Sequence, residues 1–175
     1  MGLNRWKTIK VGIICLCALL FLTEIKINRD LIYLNMNEKE MFVSPLLWSE
    51  NSFEEVFMAD HKMSLCIQIR PLTWNRVYEE DEVLEVKLKK IKNEEILKMH
   101  TFYAKDLPDN SLMDYIYFDN IRLEKNEKYS IVLESNISDP ERGIGFWCTE
   151  RQGETAYAVI DGKKQEYDFS MILYE

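Results

Sequence analysis

The chain has 175 residues, 47% hydrophobic and 30% charged, with only 6 Gly and 4 Pro, which suits one globular domain plus a tail and excludes a disordered or low-complexity chain. Its net charge of −8 is uneven: residues 1–27 hold four basic groups and one acid, and subtracting these from the totals of 22 and 30 leaves 18 basic and 29 acidic residues in 28–175, a net of −11. An acidic globular part with no basic stripe repels phosphate, so no nucleic acid is expected as a partner.

The first element is the uncharged run VGIICLCALLFLT, Val11 to Thr23, preceded by Arg5, Lys7 and Lys10. A basic segment before an apolar run is the layout of a secretion signal, and the run fits a signal core of about 7–15 residues. It is short for a membrane span of about 20 residues. The chain that follows, TEIKINRDLIY, lacks the pair of small residues that signal cleavage needs. Trp6, Ile9, Ile25 and Ile27 lengthen the apolar stretch, and Lys10 and Lys26 snorkel to the headgroups. Residues 1–27 are therefore expected to be a cytoplasmic stub and an uncleaved transmembrane signal anchor, with residues 11–23 in membrane lipid. A cleaved signal and a buried soluble helix are the alternatives. The basic residues lie before the span, so the N-terminus is assigned to the cytoplasm and residues 28–175 to the outside of a single-pass cell-membrane protein.

Residues 28–52 are expected to connect the anchor to the domain. Leu31, Leu34 and Met41 fit a short helix or a first strand, and Pro45 with SENS at 49–52 marks a boundary. From Phe53 the pattern has period two. Leu65, Ile67 and Ile69 alternate with Cys66, Gln68 and Arg70; Leu84, Val86 and Leu88 with charged residues; Tyr129, Ile131 and Leu133 with Ser130, Val132 and Glu134. Such alternation marks half-buried strands. KNEE at 92–95 is expected to turn a hairpin, with a helical turn at 94–99 as the other reading. Further strands are expected at 53–58, 115–123, 144–149, 155–161 and 167–174, separated by turn residues at 108–110, 125–127, 139–140 and Asp161-Gly162. Asp161-Gly162 predicts a hairpin between AYAVI and QEYDFSMILYE. The fold expected for residues 53–175 is mainly β, an antiparallel β-sandwich of jelly-roll type.

FEEVFMADHKMSLCIQIRPLTWNR, the hairpin VLEVKLKKIKNEEILKMHTFYA, the turn Asp109-Asn110 and the strand Lys128-Tyr129 to Leu133 carry a resemblance. Together they resemble jelly-roll accessory domains, similar in fold to carbohydrate-binding modules, of bacterial cell-envelope membrane proteins that assemble or modify surface polysaccharide. The hairpins depart from that pattern, with Asn and Glu in KKIKNEEI and EKNEK where glycine is common. The resemblance implies a cell-surface glycan or a polysaccharide-assembly membrane protein as partner.

No catalytic residue, metal site or cofactor is assigned. His61 and His100 have no partner at metal-ligand spacing, and no GxSxG, HExxH or phosphate-binding glycine loop occurs. Carboxylates are abundant, as in Glu54-Glu55 and EEDE at 79–82, and the EEDE run is expected to be a solvated loop; a glycan hydrolase, the least favoured function, would need two carboxylates across a cleft. Asp106, Asp109, Asn110 and Asp114 are read as a plain turn, with a calcium loop as alternative. The candidate ligand-binding residues are Trp74, Asn75, Arg76, Tyr78 and Trp147, because sugar rings stack on exposed aromatics and Asn and Arg donate hydrogen bonds beside them. Core packing is the competing reading for these rings. Cys66 and Cys148 are either a disulfide or two separate buried thiols. The expected function is non-catalytic binding or scaffolding at the cell envelope, with glycan as the possible ligand; the alternative is a protein-interaction subunit without a small-ligand site.

Overall fold

The computed structural model describes residues 31–34, 41–60, 62, 64–150 and 156–174. The expected anchor at 1–27 and His61 lie outside them. Among the described residues no helix is long and apolar enough to cross a membrane.

The longest sheet has six antiparallel strands. At its centre β9 (Lys128–Ser135) lies between β3 (Phe53–Met58) and β6 (Val83–Lys90), so that Leu133 stands opposite Phe53 on one side and Val86 on the other. Alternation decides the faces. Leu84, Val86 and Leu88, with Tyr129, Ile131 and Leu133, point into the core. β6 turns through a 3-10 turn (Ile91–Asn93) into β7 (Glu95–Tyr103), with Glu94 left-handed at φ 57° where the chain reverses, so the KNEE hairpin forms. On the other side β3 pairs β11 (Tyr157–Ile160), which pairs β12 (Lys163–Lys164). The outer face of this sheet carries a charge ladder, Lys87 on Glu85 and Glu134, and Lys89 on Glu54 and Glu94.

Two smaller sheets complete a β-sandwich-like antiparallel arrangement. In one, β1 (Leu31–Leu34), β14 (Met171–Tyr174), β4 (Cys66–Ile69) and β8 (Ile116–Tyr117) pair in that order. In the other, β10 (Gly145–Glu150) pairs β13 (Tyr167–Phe169), β2 (Phe42–Val43) and β5 (Pro71–Leu72). One core joins all three sheets, with Ile67, Ile69, Phe146, Cys148, Phe169 and Met171 facing the six-stranded sheet's apolar side. Burying it supplies the main driving force for the fold.

Within the connecting segment 28–52, which fits a short helix or a first strand, lie β1 and β2, and Leu47 is fully buried and bridges Ile144. Two expectations are corrected. The Asp161-Gly162 hairpin is short, pairing YAVI only with Lys163–Lys164, because the following strand leaves the sheet and joins β10. The expected strand 167–174 is broken at Ser170, whose N–H binds the Trp147 carbonyl at 2.7 Å while the chain crosses from the sheet of β13 to that of β14.

Candidate binding face

β10 presents two different faces. Phe146 and Cys148 enter the core, so Gly145 and Trp147 face outward. A Cβ on Gly145 would stand 2.6 Å from the Trp74 ring and 3.1 Å from a Val43 methyl, so the Trp74 ring rests directly on the bare strand. Two residues along, Trp147 pairs with Val43 across β10 and β2. Trp74 and Trp147, 73 positions apart in the chain, thus share one side of one strand.

A single carboxylate organises this face. Asp109 Oδ1 accepts hydrogen bonds from the backbone N–H of Thr73 (2.8 Å) and of Trp74 (2.8 Å) and from the Thr73 hydroxyl (3.1 Å), and Oδ2 accepts from the Asn75 amide (3.2 Å). Desolvation alone would raise the Asp109 pKa, but the Thr73 and Trp74 donors outweigh it and hold the carboxyl below its ordinary value. Its oxygens shape the 73–76 turn. The turn closes by Arg76 N–H on the Thr73 carbonyl at 3.0 Å, with both central residues left-handed, Trp74 at φ 50° and Asn75 at φ 53°. Asn tolerates that region; a bulky Trp there is a strained outlier, of order 1–3 kcal/mol, that its surroundings must enforce.

Asn110 fixes the second ring. Its side-chain oxygen accepts from Trp147 Nε1 at 2.9 Å, and its carbonyl accepts from Arg70 Nε at 3.0 Å. The Arg70 guanidinium lies 5.6 Å from the Trp147 ring centre, and that of Arg76 lies 4.5 Å from the Trp74 ring centre. Arg76 is anchored by Nη1 donating to the Gly143 carbonyl at 2.6 Å. Trp74 stays 45% exposed on this frame. The result is a pre-set pair of indoles, each with a guanidinium over its ring, in which the exposed part of Trp74 can stack a flat apolar face and the guanidinium N–H groups can hydrogen-bond its polar rim.

Of the five residues expected to bind ligand, Trp74, Asn75, Arg76 and Trp147 meet here. Tyr78 does not. It is 7% exposed and part of the core, with Arg142 over its ring. Burial raises its phenol above the ordinary value; Arg76 and Arg142 oppose that shift and Glu82 adds to it. Its place in the ligand face is a correction: three residues beyond Asn75 the chain has already turned inward. Arg70, Asp109, Asn110 and Gly145 belong to the face and were not expected there. The PDN turn signal at 108–110 marked a bend, but only the fold brings that bend onto Thr73 and Trp147.

Cys66 and Cys148 stay apart as free thiols. Cys148 points into the core from β10, whereas Cys66 lies on the other face of β4 from Ile67, outside the core cluster. The disulfide reading is corrected on that geometry. Two acids are buried, and one of them, Glu82, belongs to the run expected in solvent. Glu55 is 2% exposed and accepts the Phe169 N–H at 3.0 Å, tying β3 to β13. Glu82, within EEDE, accepts the Glu79 N–H at 2.7 Å and binds Arg142. His100 holds the Tyr117 carbonyl at 2.9 Å, a link between β7 and β8. Among the described residues no group of three or more His, Cys, Asp or Glu is placed to hold a metal. Compared with known proteins, the chain matches no family model and no curated protein.

Proposed function

We propose that this chain is a non-catalytic, jelly-roll-like binding domain, held at the outer side of the cell membrane by residues 11–23, and that the Trp74–Trp147 face binds glycan. The observation that carries the reading is Trp74, a bulky ring kept at φ 50° and exposed to solvent by the Asp109 carboxylate. Strain maintained to display a ring, rather than to bury it, is what a binding surface requires. Arg70, Arg76 and Asn75 stand as donors for sugar hydroxyls or acids beside the rings.

The test is a glycan array probed with the full-length chain in detergent micelles, beside Trp74→Ala and Trp147→Ala. Wild-type binding to a subset of glycans, weakened about tenfold or more in each variant, supports the reading. Equal binding by all three chains, or none by any, overturns it. The anchor is tested by the mass of the chain recovered from its native membranes, which should be full length and open to protease only beyond residue 28.

A second reading, a protein-interaction subunit, is favoured by a different observation. β7 is an outer strand of its sheet, and Met99 and Tyr103 on it are at least half exposed, as is Tyr117 on the neighbouring outer strand β8.

A further inference from the structure

β7 is nine residues long and among the described residues pairs on one side only, with β6. β8 closes the opposite sheet in the same way. The two edges meet where side chains from β7 cross the opening, His100 to the Tyr117 carbonyl and Lys98 to the Asp119 carbonyl at 3.4 Å. Beyond His100 the opening widens into a cleft of about 350 Å³, lined by Phe102, Asp106, Pro108, Leu112, Asp114 and Tyr115, with Met113 at its base. The cleft has an aromatic and aliphatic wall and two carboxylates, and among the described residues no cation lines it. Lys105, next in the chain, is turned away to Glu80 and over the Tyr103 ring.

An unpaired edge beside a pocket has a specific meaning. A strand added to an edge gains main-chain hydrogen bonds along its length, while its alternate side chains drop into whatever lies on the inner face. Phe102 is the inner-face residue at this end of β7, opposite the buried Leu84. A side chain of an added strand placed beside Phe102 would therefore enter the cleft and meet Asp106 and Asp114. A second copy of this chain would bring further negative charge to an acidic cleft, since its net charge is −8. We propose that β7 is a strand-addition site for an extended segment of a partner protein, and that this segment places a Lys or Arg side chain in the Phe102–Asp106–Asp114 cleft. The proposal rests on the protein-interaction reading and names the chemistry of its partner. The Leu88/Lys89 bulge and the inward Lys98 blunt the Glu95 end of the edge, so pairing is confined to about Met99–Tyr103.

The probe is a phage-displayed library of linear decapeptides, panned against the full-length chain in detergent micelles. Enriched peptides should carry Lys or Arg two residues from an apolar or aromatic residue. Their synthetic forms should slow amide exchange in Met99–Tyr103. Asp106→Asn with Asp114→Asn should weaken them about fivefold to tenfold, and N-methylation of alternate peptide bonds should abolish binding. Enriched peptides that lack a basic residue, protect other amides or tolerate N-methylation overturn this assignment and leave the protein-interaction reading standing. A library that yields no binder overturns both.

Discussion

The sharpest prediction concerns Gly145→Ala. The added Cβ would stand 2.6 Å and 3.1 Å from two carbons of the Trp74 ring and 3.1 Å from Val43 Cγ1. Optimal carbon contacts lie at about 3.5 Å, so the ring must retreat by about 1 Å. Trp74 sits at the surface, 45% exposed, so its ring yields at little cost. Gly145 is not at positive φ, so alanine fits its backbone, and loss of unfolded-chain freedom favours the variant by about 0.4–1 kcal/mol. The displaced Val43 contact opposes that gain, and the net change in folding free energy should stay within about 1 kcal/mol by urea denaturation. The ligand face should suffer far more. Loss of one stacked aromatic contact, about 0.5–1.5 kcal/mol, weakens binding of any glycan identified on the array by about twofold to thirteenfold. The Trp147 indole N–H resonance, set by Asn110, should remain in place, whereas that of Trp74 should move. A variant destabilised by more than about 3 kcal/mol would show that Trp74 is a rigid structural plug. Unchanged glycan affinity with a moved Trp74 resonance would remove the ring from the binding face.

Trp74→Gly should relieve the left-handed strain at φ 50°, offset by the lost contacts on Gly145 and Arg76, so the melting temperature should fall by no more than a few degrees while glycan binding disappears; a collapse of stability would mean that the ring is structural. The donors around Asp109 depress its pKa, so their contribution is complete above the ordinary value of 3.8 and is lost as pH falls through the lower folded value. Tryptophan fluorescence should therefore hold steady from pH 7 to about 4 and change below it, and Asp109→Asn should show the loosened spectrum already at pH 7; a wild-type transition near pH 6 would contradict this. Burial, with Asp119 adding, pushes the Cys66 thiol up to about 11 from 9.0, and burial, with Glu55 and Asp168 adding, raises Cys148 further. At pH 8 iodoacetamide should label Cys66 about 100-fold more slowly in the folded chain than in urea, and Cys148 more slowly still, by peptide mass mapping; fast labelling of either in the folded chain would refute the burial.

The strands were legible because their side chains repeat a local rule. LEVKL, SIVLE and CIQI each state which face is buried, and β6, β9 and β4 fall where that alternation places them. Glu55 shows where the rule ends. It sits between Phe53 and Phe57 on the inner face of β3, where alternation demands an apolar residue, and only the Phe169 N–H arriving from β13 makes a carboxylate acceptable there. Ser170 shows the same limit for chain direction, since nothing in YDFSMIL says that the strand changes sheets at its serine.

The binding face was half legible for a related reason. TWNR displays its residue types within one turn, so Trp74, Asn75 and Arg76 stand out as a group. What makes them a surface is Asp109, a partner 35 positions from Trp74, and Gly145, whose missing side chain leaves room for the ring. Tyr78 belongs to the same five-residue stretch and lies in the core, so proximity in sequence is a poor guide to shared surface once a tight turn intervenes. The 104–115 loop then acquires a double role. Asp109 and Asn110 hold the two indoles, and Asp106, Leu112 and Asp114 line the cleft beside β7. A ligand that ordered this loop from one side would also fix the geometry of the other. Coupling between the two faces is therefore expected to run through the Asp109–Thr73 hydrogen bonds, and Asp109→Asn is the variant that would separate a shared loop from two independent sites. If decapeptide affinity at β7 shifts when a glycan occupies Trp74 in the wild type, and ceases to shift in Asp109→Asn, the loop is the link. If glycan and peptide bind with the same affinity whether or not the other is present, the two faces are independent.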